Sequence, residues 1–288
     1  MPEARYTRAM HLVLEGGGVR SAFSAGVLKS FAEAGLAVDS IFATSTGSMN
    51  AAYFCAGQID GALTVWRDHV AGKKIINYLR LFTPTATPGI DFDYMIDEVM
   101  GHIVPLDRQA ATDGKPRLFL TATDINASAT VVAEPDAHNL LTWVKASAAF
   151  PLGYNKVIPI DGLELMDGGM VCSVPFEPCM ERINPEQKVV VVLTRPTSVR
   201  KGPATWWQRL IIPIMVPPHA RDLTLNQHRR HNELMRRLEE ARDSGRVILV
   251  EPPPGMPLKR LSRDRAKIIE GIDMGRQVGK NLASHLLK

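Results

Sequence analysis

Met10-His11-Leu12-Val13-Leu14-Glu15-Gly16-Gly17-Gly18-Val19-Arg20 reads as a short apolar strand that stops at a glutamate and three glycines. Beyond the glycines Ala22, Phe23, Val27, Leu28 and Phe31 recur at helical spacing, and Gly35 stands where a left-handed helix cap is expected. The same order follows at once: Ile41-Phe42-Ala43 as a strand, a turn at Ser45, and a helix from about Gly47 to Gly57. Two successive strand-loop-helix units demand parallel strands with helices on their faces. The expected class is therefore α/β, a three-layer α/β/α sandwich around a mainly parallel central sheet.

Working outward, residues 58–112 read as mixed helix and loop, interrupted by Pro84, Pro88 and Gly89. Residues 117–123 and 130–133 suggest a strand pair, and 188–194 a strand buried on both faces. From Arg221 to Arg242 the pattern predicts one charged helix with Leu225, Leu234, Met235 and Leu238 as its buried stripe. Residues 247–251 form a last strand, and 263–287 a helix. No repeat or linker divides the chain, so 1–288 is expected to be one domain, with a core at about 12–200 and a C-terminal extension at about 201–288.

The 288 residues carry 34 Lys and Arg against 30 Asp and Glu, a net charge of +4, with 45% hydrophobic residues. That excludes a disordered chain, and the basic excess is too small for a nucleic-acid partner unless it is clustered. Cys55, Cys172 and Cys179 are odd in number and show no paired spacing, which fits a reducing compartment. The start of the chain, Met1 to Arg8, carries charge where an export signal needs an apolar core, and 210–216, the longest later apolar run, is broken by Pro213. A cytoplasmic setting is the expectation.

The sharpest chemical signal is Ala43-Thr44-Ser45-Thr46-Gly47, the nucleophile-elbow pattern with Ala43 in place of its first glycine. Small residues are needed at both ends because strand and helix pass closely around the turn. The competing reading is a Ser/Thr-rich cap on an ordinary helix. Gly16, Gly17 and Gly18 offer consecutive N–H groups able to hold an anion, either a phosphate or an oxyanion. No Gly-Lys-Ser/Thr closes that loop, and Asp39, placed before the next strand, is badly sited to grip a ribose. Among the eight histidines none stands out as a base, and His228 and His231 fall on the charged helix as solvated side chains. Asp167, held before Gly168 and Gly169 after an apolar stretch, is a candidate general base whose alternative is a turn aspartate.

Taken together, Leu14 to Arg20, the Ser45 elbow leading into Met49-Asn50-Ala51-Ala52, and Asp167-Gly168-Gly169 resemble the patatin-like phospholipases, acyl hydrolases with a Ser-Asp dyad. Thr123-Asp124, Lys145 to Pro151 and Leu193 to Pro196 are similar to the bacterial branch of that family. The resemblance implies Ser45 as nucleophile, Asp167 as general base, the glycine-loop amides as oxyanion hole and Arg20 as a brace for the loop, with no metal or organic cofactor. This chain departs from the family at Ser21 and Ala43, where glycine is usual.

Residues 195–221 hold Arg195, Arg200, Lys201, Arg209 and Arg221, no acidic residue, Trp206-Trp207 and an apolar run. Two readings fit this stretch: peripheral contact with an anionic membrane, or a lid over the site's mouth, with Pro213, Pro217 and Pro218 preventing a long amphipathic helix. The favoured function is hydrolysis of a fatty-acyl ester in a phospholipid, lysophospholipid or simpler lipid. A non-catalytic lipid-binding protein of the same fold and a nucleotide-binding α/β protein are the alternatives.

Overall fold

A computed structural model describes residues 10–80 and 88–287. The readings at Met1 to Arg8 and at Pro84 lie outside the described residues.

Among the described residues eight strands form one sheet: β1 (Met10–Leu14), β2 (Val38–Thr44), β3 (Arg117–Asp124), β4 (Ala129–Ala133), β5 (Ile158–Ile160), β6 (Leu163–Asp167), β7 (Val189–Val192) and β8 (Val247–Val250). Their order is β5-β6-β3-β2-β1-β7-β8, with β4 also on β3. From β3 to β8 the pairings are parallel, whereas β4, β5 and β6 add antiparallel strands at one side. Side chains alternate between faces along each strand, and both faces are buried. Leu12, Leu14, Ile41, Ala43, Leu118, Leu120, Val190 and Val192 enter one core. Val13, Phe42, Phe119, Val189 and Val191 enter the other. A sheet clothed on both faces is the three-layer sandwich expected.

Among the described residues there are ten α-helices: α1 (Ser21–Glu33), α2 (Thr46–Cys55), α3 (Ile59–Thr64), α4 (Arg108–Thr112), α5 (Leu140–Ala148), α6 (Phe176–Met180), α7 (Trp206–Met215), α8 (Arg221–Leu225), α9 (Gln227–Asp243) and α10 (Arg265–Leu286). Helices α1, α2, α5 and α10 cover the first face, and α6 and α9 the second. Helix α10 lies against α1 so closely that a Cβ on Gly275 would stand 2.0 Å from the Phe23 carbonyl oxygen. Since β8 extends the sheet and α10 closes one face, the segment beyond 201 is part of the packed body.

The single helix expected over 221–242 is two, with a break at Asn226 that leaves Leu225 half-buried. The Asn226 side chain donates to Asp222 Oδ1 at 2.7 Å, a local bond of the kind that competes with helix continuation. Asp39 lies inside β2, not before it, but at the end remote from the glycine loop, where its carboxylate takes a bond from Lys115 Nζ at 2.6 Å. That removes the dinucleotide reading's acidic residue. Helix α7 runs through Pro213 but ends after ten residues.

One feature of the topology places the site. Strand β4 holds one edge of β3 from Leu120 to Asp124. The other edge is shared: β2 runs along it up to the Thr44–Thr121 pair, and β6 arrives from the opposite direction to the Asp167–Ala122 pair. The two strands meet end to end. The residue after β2, Ser45, is thereby brought to the last residue of β6, Asp167.

Candidate active site

Ser45 adopts φ 56° and ψ −134°, a backbone conformation that a residue with a side chain rarely takes. The turn is held by neighbours. Ser45 N–H donates to Ser147 Oγ at 2.8 Å, and Ser147 Oγ donates to the Thr121 carbonyl at 2.7 Å. Thr44 Oγ1 lies 2.6 Å from Thr121 Oγ1, so α5, β2 and β3 are tied at the elbow. Gly47 lets α2 start against β1, since a Cβ there would sit 3.1 Å from the Glu15 carbonyl oxygen. Ala43 is fully buried between Leu14 and Leu120, and its methyl is absorbed by the core.

The Ser45 hydroxyl donates to Asp167 Oδ2 at 2.8 Å, and Gly169 N–H donates to Asp167 Oδ1 at 2.6 Å. Burial pushes the Asp167 carboxyl above the usual aspartate range, against the opposing pull of the Ser45 hydroxyl, the Gly169 amide, Arg260 and Lys201. Thr123 Oγ1 holds the Asp167 carbonyl at 2.9 Å.

The glycine loop crosses directly over the serine: a Cβ on Gly16 would stand 2.6 Å from Ser45 Cβ. Gly16 N–H, expected among the anion-holding amides, is instead turned to the Ser173 carbonyl at 3.2 Å. It therefore supplies room for Ser45 and an anchor for the loop. Gly17 N–H makes only a long contact of 3.5 Å to Thr46 Oγ1, and among the described residues nothing occupies the Gly18 N–H. Gly18 sits at φ +59°, and a Cβ there would strike the Arg260 carbonyl oxygen at 2.4 Å. Arg20 is buried beneath the loop, its Nε without a hydrogen-bond partner among the described residues, and burial beside Arg260 lowers its pKa to about 9. Ser21 is fully buried, is not among the residues lining the pocket, and bonds to Thr46 Oγ1 at 2.8 Å.

None of the eight histidines lines the pocket around Ser45. His231, expected in solvent, is buried, because α9 turns it toward the sheet, where its Nδ1 lies 2.8 Å from Ser173 Oγ. Burial and the nearby cations push its pKa down to about 2, so it stays neutral and steadies the residue that anchors Gly16. Sequence reasoning missed His231 and Ser147 as supports. Ser147 lies in the 145–151 motif, but only the tertiary contact reveals its role.

The pocket encloses about 690 Å³, counting its open mouth. Its lining is largely apolar, with Trp66, Val70, Ile75, Ile76, Phe92 and Met95, and carries Lys201, Arg260 and Asp167 as its charged groups. Among the described residues no group of three or more His, Cys, Asp or Glu could hold a metal ion, and no helix is long and apolar enough to cross a membrane.

The profile of the family described as Patatin-like phospholipase matches residues 12–180. The chain is 27% identical over 203 residues to the uncharacterized protein YjjU of Escherichia coli, covering 69% of this chain and 55% of that protein. It is 33% identical over 176 residues to patatin-like phospholipase domain-containing protein 7 of Rattus norvegicus, covering 59% of this chain and 12% of that protein. It is also 27% identical over 258 residues to the neuropathy target esterase sws of Drosophila melanogaster, covering 84% of this chain and 17% of that protein. The match thus spans about half of the first of these relatives and less than a fifth of the other two.

Proposed function

The chain belongs to the patatin-like phospholipase family, and from that membership we propose that it is a serine acyl hydrolase acting on fatty-acyl esters of lipids. The observation that carries the reading is the 2.8 Å bond from the Ser45 hydroxyl to Asp167, at a strained elbow beneath the Gly17 and Gly18 amides. Asp167 takes the hydroxyl proton as Ser45 Oγ attacks the ester carbonyl. The developing oxyanion is met by the Gly17 and Gly18 N–H groups and by the N-terminus of α2, donors already in place before charge appears. The proton passes to the departing alcohol, and water activated by Asp167 then frees the acyl-enzyme. The acyl chain lies along the apolar side of the pocket. No step requires a metal or an organic cofactor. Treatment with a fluorophosphonate tests the reading: Ser45 should be labelled one-to-one, and an unlabelled Ser45 in a folded protein would sink it.

The base must be ionised to accept the proton, so activity is present above the Asp167 pKa and lost as pH falls through it. We expect kcat/KM for a short-chain ester to fall about tenfold per pH unit on a single acid limb, with a midpoint above the 3.8 of an ordinary aspartate. A midpoint at or below 3.8, or a limb two protons steep, would contradict the assignment of Asp167.

Substrate is met at a lipid surface through α7. Trp206, Leu210 and Ile214 follow at intervals of four on one face and are 74%, 64% and 69% exposed, while Ile212 on the other face is 1% exposed. Arg209 stands exposed among them. Cationic and apolar groups together suit an anionic membrane at head-group depth. Leu210→Asp with Ile214→Asp should lower partition onto phosphatidylglycerol vesicles by about tenfold or more and leave hydrolysis of a dissolved short-chain ester unchanged. Unaltered sedimentation with vesicles would exclude this face.

A further inference from the structure

Next to the dyad pocket, and sharing Phe150, Lys201, Gln227 and Arg260 with it, lies a second cleft lined also by Arg195 and by Gln208 and Ile212 of α7. It is cationic, and of its Arg195, Arg200, Lys201 and Arg260 only Arg200 forms a salt bridge among the described residues. Arg195 Nε and Nη2 are buried with no hydrogen-bond partner among the described residues. Neither Lys201 Nζ nor the Arg260 guanidinium has a salt bridge among the described residues, and Arg260 rests on the Phe150 ring at 4.9 Å. Arg200, also on the rim, is already paired with Glu239 at 2.7 Å. The nearby carboxylates, Glu15 and Asp167, are engaged elsewhere: Glu15 accepts from Thr194 N–H and Oγ1 at 2.6 and 2.8 Å, and Asp167 holds Ser45 and Gly169. Among the described residues no aspartate or glutamate lines the second cleft.

Burying the Arg195 N–H groups without an acceptor is costly, and a bound anion offsets that cost. Burial and then the neighbouring Arg260, Arg195 and Arg20 lower the Lys201 pKa, and a bound anion would favour its charged form. The apolar groups line only the Ser45 pocket, whereas Lys201 and Arg260 line both clefts and Arg195 the second, so the two clefts together fit a molecule with a fatty chain on one side of the scissile ester and negative charge on the other. Arg195, Lys201 and Arg260 all lie outside residues 12–180, the part matched by the family profile.

Resting on the acyl-hydrolase reading of Ser45, we propose that Arg195, Lys201 and Arg260 form a headgroup subsite for a lipid phosphate of net negative charge. Among the described residues the cleft holds no carboxylate, and the face of its Phe150 ring is taken by Arg260, so phosphocholine lipids are disfavoured. The group recognised is a phosphate, and a lipid headgroup and free inorganic phosphate present the same oxygens to the three cations. Attachment to a chain in the apolar pocket is what distinguishes them.

Binding of non-hydrolysable ethers tests the subsite without depending on catalysis. Isothermal titration of the full chain would compare the octyl ether of glycerol phosphate, its phosphocholine counterpart, octylglycerol and inorganic phosphate. Charge-assisted contacts from the three cations predict that the phosphate ether binds about tenfold or more tighter than either the phosphocholine ether or octylglycerol. Arg195→Gln and, independently, Lys201→Gln should each shrink that preference about fivefold or more, both variants being checked for native circular dichroism. Equal binding of the three ethers, or a preference untouched by both substitutions, overturns the proposal. Inorganic phosphate binding as tightly as the phosphate ether also overturns it and assigns the cluster to a free anion. Loss of fluorophosphonate labelling with the preference intact would remove the hydrolase reading and leave the subsite standing.

Discussion

Ser45→Ala and Asp167→Asn will each lower kcat/KM for a short-chain ester by about a thousandfold or more, and the double variant will be scarcely worse than either single one. The reason is geometric. Asp167 is the only acceptor the Ser45 hydroxyl meets among the described residues, at 2.8 Å, and removing either partner leaves the other with nothing to do. Asparagine keeps the shape of the side chain and can still accept from Gly169 N–H, so the turn after β6 survives and circular dichroism should be native. What asparagine cannot do is take a proton. The dyad also predicts that no single histidine substitution costs more than about tenfold. The sharpest case is His231→Gln, because His231 is the buried histidine that reaches the glycine-loop anchor at Ser173. A His231 variant that is folded yet as inactive as Ser45→Ala would replace the dyad with a triad.

How far the chain could be read from its sequence follows from how far each signal reaches. The β1-loop-α1 and β2-elbow-α2 units were legible because their cues are local: an apolar run, a break at glycine or serine, and a helical period. The stretch 188–194 gave β7, whose four valines are buried on both faces. The registry that makes the site was not legible in that way. Ser45 and Asp167 are 122 residues apart, and they meet because β2 and β6 share an edge of β3, a pairing to which no local period responds. Resemblance to a family named the two residues together; composition and spacing did not. The supports were hidden for the same reason. Ser147 looks like any helix serine until α5 lays it under the elbow, and His231 looks solvated until α9 is rotated onto the sheet. Charge counting found the basic stretch from 195 onward, but Arg260 joins Arg195 and Lys201 only through the loop after β8.

The second large effect is expected from a residue that carries no functional group. Gly168 follows Asp167 at the point where β6 ends against β2, and a Cβ there would stand 2.5 Å from the Thr121 carbonyl oxygen and 3.0 Å from its carbon. Both are backbone atoms of a central strand, so the strand cannot move aside, and the Thr121 carbonyl also accepts the bond from Ser147 that fixes the elbow. Gly168→Ala must therefore push the 167–169 turn outward. The Asp167 carboxylate moves with it, its bond from Gly169 N–H opens, and the hydroxyl of Ser45 loses alignment. Overpacking of this kind costs about 1–3 kcal/mol, while a displacement of about an ångström at the reacting groups costs on the order of a hundredfold in rate. We expect Gly168→Ala to fold with a lowered thermal midpoint and to lose at least about a hundredfold in kcat, with affinity for the octyl ethers little changed because the apolar and cationic walls are elsewhere. Activity within threefold of the wild type would show that the turn tolerates a side chain, and that the close packing of β6 against β3 is not what holds Asp167 to Ser45.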